Sequence, residues 1–425
     1  MFKPALFLSF VLLSVFAFAA NKPTVTVLHE FKGTNDGAYP TSGLNADAAG
    51  NLYGATQEAG SGNAGTIYRF IPDGNGGWMF EVIYAFTGGA DGGSPLGTLV
   101  FDAQGNGYGT AASGGANGLG VVYKLTPPKS GKTWTETVLY SFKGDTDGQL
   151  PFGEVVFDAA GNLYGTTSRG GMGHVGCFQA GCGTIYELTP RKNGTWGEAV
   201  LHRFSDAFGQ GAEPRDGLVF DAAGNLYGTT NSGGNNDACN TFNSDGCGEV
   251  FELVHVGGGQ WQLVTIRDFN DTDGGNPRAG VTLDGKGNLY GVTTIGGNLG
   301  GGTLFSFSQQ NGKWVNGKGI NFPHESQPSG RLALDQSGMI YGTTYEGGAH
   351  VAGSVFQLDP ATWKHQTIYS FPVSGPGTGT DPQNGVFLQN GAIFVTTTNG
   401  GDLNACSPNP GCGAVVMIST GGGAK

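Results

Sequence analysis

Charge is scarce in this chain. Asp, Glu, Lys and Arg make up 13% of the 425 residues, and only 21 are Lys or Arg against 33 Asp or Glu. A formal net charge of −12 with sparse Lys and Arg argues against a nucleic-acid or anionic-membrane partner. Beyond the N-terminus no apolar run approaches about 18 residues, so no later segment could cross a bilayer as a helix. No G-x-S-x-G elbow, H-E-x-x-H helix or G-x-x-x-x-G-K-[ST] loop is present. Pairs such as Gly114-Gly115 and Gly296-Gly297 do not open helices and are not nucleotide loops. Neither the dense acidic pattern of a calcium loop nor CxxC-like zinc spacing occurs, so the sequence calls for no cofactor and no metal. Glycine is abundant, 81 residues against an ordinary usage of about 7%, but without the Gly-X-Y period of collagen.

What is there is a repeat. GEVVFDAAGNLYGTTSRGG, from Gly153 to Gly171, holds two apolar runs around Asp158-Ala159-Ala160-Gly161-Asn162. Asp caps the turn and Gly supplies positive φ, so the stretch reads as a β-hairpin. Related copies stand at Asp47–Thr56, Phe101–Thr110, Phe220–Thr230, Leu283–Thr294, Leu334–Thr344 and Leu388–Thr398, seven in all. After each hairpin (strands A and B) comes a variable loop, a third strand such as Gly183–Leu188 (C), and a fourth such as Trp196–Phe204 (D). Four-stranded units repeating every ~40–60 residues predict a β-propeller. The seventh copy stops after strand C. Thr24–Phe31 matches the D pattern and precedes copy one. The expected fold is therefore all-β: a seven-bladed propeller of four-stranded blades, closed by the N-terminal strand completing the last blade, with 21–425 as a single domain.

Residues 1–20 combine Lys3, an apolar run from Ala5 to Phe18 and Ala17-Phe18-Ala19, the pattern of a secretory signal peptide. Six cysteines follow, an even count that implies disulfides in an exported chain. Each falls between the Gly-Gly closing strand B and the Gly opening strand C of one copy. The repeat register thus predicts three loop staples, Cys177–Cys182, Cys239–Cys247 and Cys406–Cys412. A secreted, periplasmic or cell-surface monomer is expected, with no membrane insertion once the signal is removed.

The repeat G-x-x-x-D-x-x-G-N-L-Y-G-T-T-x-x-G-G with a following G-T-x-Y-x-L, clearest at Val155–Gly171 and Leu218–Gly234, resembles the GloVer-type tandem repeat of bacterial exported proteins. A weaker likeness runs to kelch propellers. The resemblance covers nearly the whole mature chain, though copies six and seven carry Met339-Ile340 and Ala392-Ile393-Phe394 in place of Asn-Leu-Tyr. It implies no particular activity.

In such a blade the B–C and D–A loops share one face of the ring, and variable loops on a rigid scaffold are where binding usually lives. Candidate ligand-binding residues are Arg169 and His174 in blade three, Arg215 and Asn235 to Asp237 in blade four, Arg278 in blade five, and Glu346 and His350 in blade six. The repeated Tyr and Trp residues are expected to pack between blades, the turn Asp residues to cap turns, and His29 and His202 to substitute for the strand-D Tyr. His174, His324 and His350 come from separate loops, and no spacing assembles them. No catalytic residues stand out. The sequence therefore favours an exported non-catalytic binding or structural protein whose ligand is a polysaccharide, an envelope component or a protein. The alternative is a carbohydrate-active hydrolase or lyase whose carboxylates meet at the ring axis. Convergent carboxylates there would favour the enzyme.

Overall fold

Each copy of the repeat folds as the inner hairpin of an antiparallel blade, and the hairpin turn satisfies itself. In copy three, Asp158 Oδ1 accepts the amides of Ala160 (2.8 Å) and Asn162 (2.9 Å). Its Oδ2 accepts the Asn162 side-chain amide (2.8 Å) and the Tyr164 hydroxyl (3.2 Å). Gly161 sits at φ 86°. Asp47, Asp102, Asp221 and Asp284 do the same with their own Asn and Tyr. The Asp-x-x-Gly-Asn-x-Tyr signature is thus a closed set of donors and acceptors, which accounts for its repetition without any ligand.

The computed structural model describes residues 22–420 except 132, 172–176, 178–179, 206–209, 235–238, 240–245, 374–376 and 407–410. The signal-peptide expectation for 1–20 lies outside the described residues. Seven blades form the ring. Blade three, in order A to D, comprises Val156–Phe157, Leu163–Thr167, Thr184–Pro190 and Trp196–Arg203. Blade seven comprises Val386–Gln389, Ala392–Thr397, Ala414–Ser419 and, as its fourth strand, the N-terminal Thr24–Glu30, paired antiparallel to Ala414–Ser419. In six blades the C–D pairing skips one residue at the same level (Ile83, Leu139, Leu201, Ile266, Ile368 and Leu28), a bulge that increases twist. Blade five differs from expectation. Its strand D is split into Lys313–Asn316 and Ile320–Asn321, because Gly317-Lys318-Gly319 leaves the ladder there.

The core is divided into seven clusters, one at each blade–blade interface. Between blades two and three, Tyr108, Val122 and Phe142 meet Val155, Leu163, Tyr186 and Leu188. The cluster at the ring closure joins Phe31, Phe394 and Val415 of blade seven to Leu52, Tyr68 and Phe70 of blade one. The Gly in Leu-Tyr-Gly-Thr follows from this packing. An aromatic ring from strand C lies over it in six blades: Tyr68 over Gly54, Tyr123 over Gly109, Tyr186 over Gly165, Phe251 over Gly228, Phe305 over Gly291 and Phe356 over Gly342. A Cβ would strike the ring. In blade seven both partners change together, Val395 facing Val416.

Neighbouring blades are also clasped by backbone. The D–A loop of every blade contains an X-Pro step whose X residue is left-handed: Tyr39, Ser94, Leu150, Glu213, Asn276, Gln327 and Asp381, at φ 48–63°. Each X amide donates to a carbonyl of the preceding blade (Cys412, Ala64, Leu119, Cys182, Cys247, Gly301 and Ala352) at 2.8–3.2 Å. Each proline packs against the glycine that opens strand C of that preceding blade, from Pro95 against Gly65 round to Pro40 against Gly413. The last contact is the same clasp made between blade seven and blade one.

Deleting Thr24–Glu30 removes the outer strand of blade seven and strips the Ala414–Ser419 edge. The expected result is a clearly lower thermal midpoint and self-association through the bared edge, read by calorimetry and light scattering. An unchanged midpoint would contradict closure by this strand.

Candidate functional site

The clasps aim seven equivalent side chains at the ring axis. The residues following the prolines are Thr41, Leu96, Phe152, Arg215, Arg278, Ser329 and Gln383, and all of them line one cavity of about 310 Å³. Leu96 and Phe152, from blades two and three, make an apolar wall. Arg215 and Arg278, from blades four and five, bring two guanidinium groups. Thr41, Ser329 and Gln383 add neutral polar groups. The framework repeats, and what it presents to the axis does not.

The floor is built from departures at one repeat position. Four residues before the turn Asp (before Gln389 in blade seven) stand Gly43, Thr98, Glu154, Gly217, Gly280, Arg331 and Gly385. The four glycines leave the space that Thr98, Glu154 and Arg331 fill. A Cβ on Gly43 would crowd the Thr98 hydroxyl, one on Gly217 would meet the Glu154 side chain, and one on Gly280 would meet the Arg331 guanidinium. Arg331 is the hub. Its Nη1 donates to Glu154 Oε1 (2.5 Å), its Nε to Asp216 Oδ2 (3.3 Å) and its Nη2 to the Gly217 carbonyl (2.7 Å). Asp216 Oδ2 also accepts the Gly280 amide (2.6 Å), and Oδ1 accepts the Gly217 amide (2.7 Å). One guanidinium thus ties blades three, four and six, and Asp216 brings in blade five.

About 24% of each of these three side chains stays accessible, on the side lining the cavity. Burial pushes the Glu154 carboxyl above its ordinary range against the pull of Arg331, with Asp216 adding to the push. Burial alone would lower Arg331, but the Asp216 and Glu154 carboxylates outweigh it and hold the guanidinium above its ordinary value.

Of the loop residues singled out from sequence, Arg215 and Arg278 come together in the cavity. Arg215 Nη2 pairs with Glu213 Oε2 at 3.1 Å. Arg278 is open to solvent, yet loss of hydration and the Arg215 charge lower its affinity for a proton, opposed by Tyr345. Glu346 accepts a hydrogen bond from Gln327 Nε2 at 3.2 Å and acts electrostatically on Tyr345, so it flanks the same region without lining the cavity. Arg169 does not line it. Its backbone bridges Gln149 in the adjoining loop. His350 is exposed at the end of the 3-10 turn Gly348–His350, which packs on strand D, Lys364–Ser370, and so stands apart from the axis. His174 and Asn235 to Asp237 fall outside the described residues. Glu154, Asp216 and Arg331 were not among the sequence candidates. Their signal was a charged residue in or beside a slot that is Gly in four of the seven copies.

The remaining polar groups have structural employment. The three cysteine pairs close their own loops as the repeat register requires, which points to an oxidising compartment. In the D–A loops, Asp36, Asp91, Asp147 and Asp273 accept loop amides. Each also takes a side chain from strand D: His29 (3.0 Å), Tyr84 (3.1 Å), Tyr140 (2.5 Å) and Arg267 respectively. His29 therefore replaces the tyrosine as a hydrogen-bonding partner as well as in packing, stacked on Phe80 at 3.7 Å. His202 is packed against Phe204, and burial lowers its imidazole to about 4. Among the described residues no group of three His, Cys, Asp or Glu gathers as a metal would require, and no helix is long and apolar enough to cross a membrane.

Blade four buries an unusual acid. Its neighbours place a hydroxyl at the start of strand C, bonded to a strand-B threonine, as in Thr167–Thr184 at 2.8 Å. Glu249 takes that slot, fully buried. Burial, then the hydrogen bond and charge of Asp268, push its carboxyl up to about 9.

A seven-bladed propeller with a floored axial pocket is the class that these features define. The chain belongs to the Gloeobacter/Verrucomicrobia repeat family, whose model matches residues 13–242 and 176–407. No curated protein matches it in sequence. Among solved structures, a 6-phosphogluconolactonase candidate from Bacteroides uniformis is similar at 14% identity and TM-score 0.50, over 90% of this chain and 99% of that one. A counterpart from Bacteroides fragilis shows 14% identity and TM-score 0.48, over 89% and 88%. At that identity the likeness is one of fold.

Two outcomes follow from the buried charges. Arg331→Leu should cost about 2–3 kcal/mol in denaturant unfolding, less than a fully enclosed pair because part of each side chain remains accessible. Glu154→Gln should cost clearly less, since it leaves Asp216 paired. For Glu249 the folded value lies above the unfolded one. The native state keeps a proton that the unfolded chain releases near 4.5, so stability is full below that pH and declines as pH rises towards 9. Glu249→Gln should therefore raise the thermal midpoint at pH 8 by several degrees and change it little at pH 4.5. Equal effects at both pH values would contradict this.

Proposed function

We propose that this chain is an exported, non-catalytic binding protein whose axial pocket takes a saccharide-sized ligand presented by a polysaccharide or an envelope component. The observation that carries this function is the ring of post-proline residues. Seven equivalent positions hold six residue types, all lining one cavity, whereas the positions that build the blades repeat. Its volume of about 310 Å³ lies at the low end of small-molecule pockets. An apolar wall of Leu96 and Phe152 beside hydroxyl, amide and guanidinium groups suits a sugar ring, which offers an apolar face and a polar edge. Export is supported by the N-terminal apolar run with its small-x-small site and by the three disulfides. A closed ring with backbone clasps at every junction accords with a monomer.

A hydrolase or lyase is the second candidate, favoured by the convergence of Glu154 and Asp216 on the axis. Glycosidic hydrolysis needs a proton donor and a separate base or nucleophile, roughly 5–10 Å apart. Here both carboxylates are bound to one guanidinium, and Asp216 is further held by two backbone amides. Their chemistry is spent on the floor, which favours the binder.

Titration calorimetry against a panel of neutral and acidic mono- and oligosaccharides tests this. Saturable 1:1 binding is expected, weakened about tenfold or more by Phe152→Ala, with no reducing-sugar release on prolonged incubation. Turnover abolished by Glu154→Gln would establish the enzyme instead. Binding indifferent to Phe152 would move the site away from the axis.

A further inference from the structure

We infer that the ligand of the axial pocket carries an oxyanion, a carboxylate or a phosphate ester, received between Arg215 and Arg278; this rests on the axial pocket being the binding site. Every carboxylate around the cavity is already engaged. Glu154 is held by Arg331, Asp216 by Arg331 and the amides of Gly217 and Gly280, and Glu213 by Arg215. Arg278, in contrast, has no ion-pair or hydrogen-bond partner among the described residues. Arg215 spends only Nη2 on Glu213, while its Nε is buried and without a partner among the described residues. Leaving such a buried donor unpaired is unfavourable.

The two guanidiniums also line the same cavity from adjacent blades. Two guanidiniums converging in this way, only one of them paired with a carboxylate, leave positive charge that an anion between them would neutralise. An oxyanion there would take the free donors of Arg278 and the Nε of Arg215, as planar guanidiniums do with carboxylates and phosphates. The body of the ligand would then lie against Phe152 and Leu96, which line the same cavity from blades three and two. An acidic monosaccharide or the acidic end of a saccharide chain has this division of charge and apolar face.

The test is calorimetric titration of the full mature chain with D-glucuronate, D-glucose 6-phosphate and neutral D-glucose, for wild type, Arg278→Gln, Arg278→Lys and Phe152→Ala. At least one acidic sugar is expected to bind about ten- to a hundredfold more tightly than glucose, with affinity falling as salt rises. Arg278→Gln should erase that gap, and Arg278→Lys should keep part of it. A preference for glucuronate would assign a carboxylate ligand, and one for the phosphate a phosphorylated sugar; either supports the oxyanion site. Glucose binding as tightly as both acids, or a gap unaltered in a folded Arg278→Gln protein, overturns it. If neutral sugars still bind and Phe152→Ala still weakens them, the axial site survives while the oxyanion assignment fails. If Phe152→Ala changes nothing, the axial site itself fails.

Discussion

The structure depends on a clasp repeated at all seven junctions: a left-handed residue, its amide bonded to the previous blade, and a proline packed on that blade's strand-opening glycine. A non-glycine residue at positive φ is disfavoured, the more so before proline, and each costs on the order of 1 kcal/mol or more. Such strain persists where surrounding contacts over-determine it. Here a backbone hydrogen bond and a buried ring contact hold each step, and the next residue is thereby turned to the axis. The same device that joins the blades also lays out the pocket wall. Because the clasp runs from Pro40 to Gly413 as well, blades seven and one meet on equal terms with every other junction.

Much of the fold was legible in the sequence because the devices that build it are local. An Asp that satisfies its own turn, a Gly beneath an aromatic ring and a cysteine pair within one loop all lie within one copy, so repetition advertises them. Closure was legible from a count, three strands at one end and one at the other. The left-handed X-Pro step was not, because its X residue varies from Tyr39 to Asp381 and is constrained by a hydrogen bond to another blade. Blade five's broken outer strand was missed because Gly317-Lys318-Gly319 resembles an ordinary turn inside a strand of the expected length.

The candidate site was half legible, for a physical reason. Arg215 and Arg278 stand in D–A loops, where variability suggested binding, and both reach the cavity. Glu154, Asp216 and Arg331 stand where the repeat's turn to the axis leaves room for little but glycine in most blades. Sequence neighbours give no hint that residues 115 and 177 positions apart share one guanidinium. The repeated centre thus proved as informative as the variable edge, once its exceptions rather than its consensus were compared across copies.

Seven similar blades would by themselves give an axis of nearly uniform character, unable to orient anything. The floor removes that uniformity. Thr98, Glu154 and Arg331 fill space that glycines elsewhere vacate, so the pocket lining includes a charged network that the repeat alone would not supply. That network also settles the fate of the two axial carboxylates. Freed from Arg331 they would repel one another and any acidic ligand; bound to it they form a near-saturated base that leaves Arg278 and the Nε of Arg215 as the unspent donors. The polarity of the pocket therefore follows from the pairing beneath it. An acidic protein can in this way keep a local site for anions, with its own carboxylates withdrawn into hydrogen bonds before a ligand arrives.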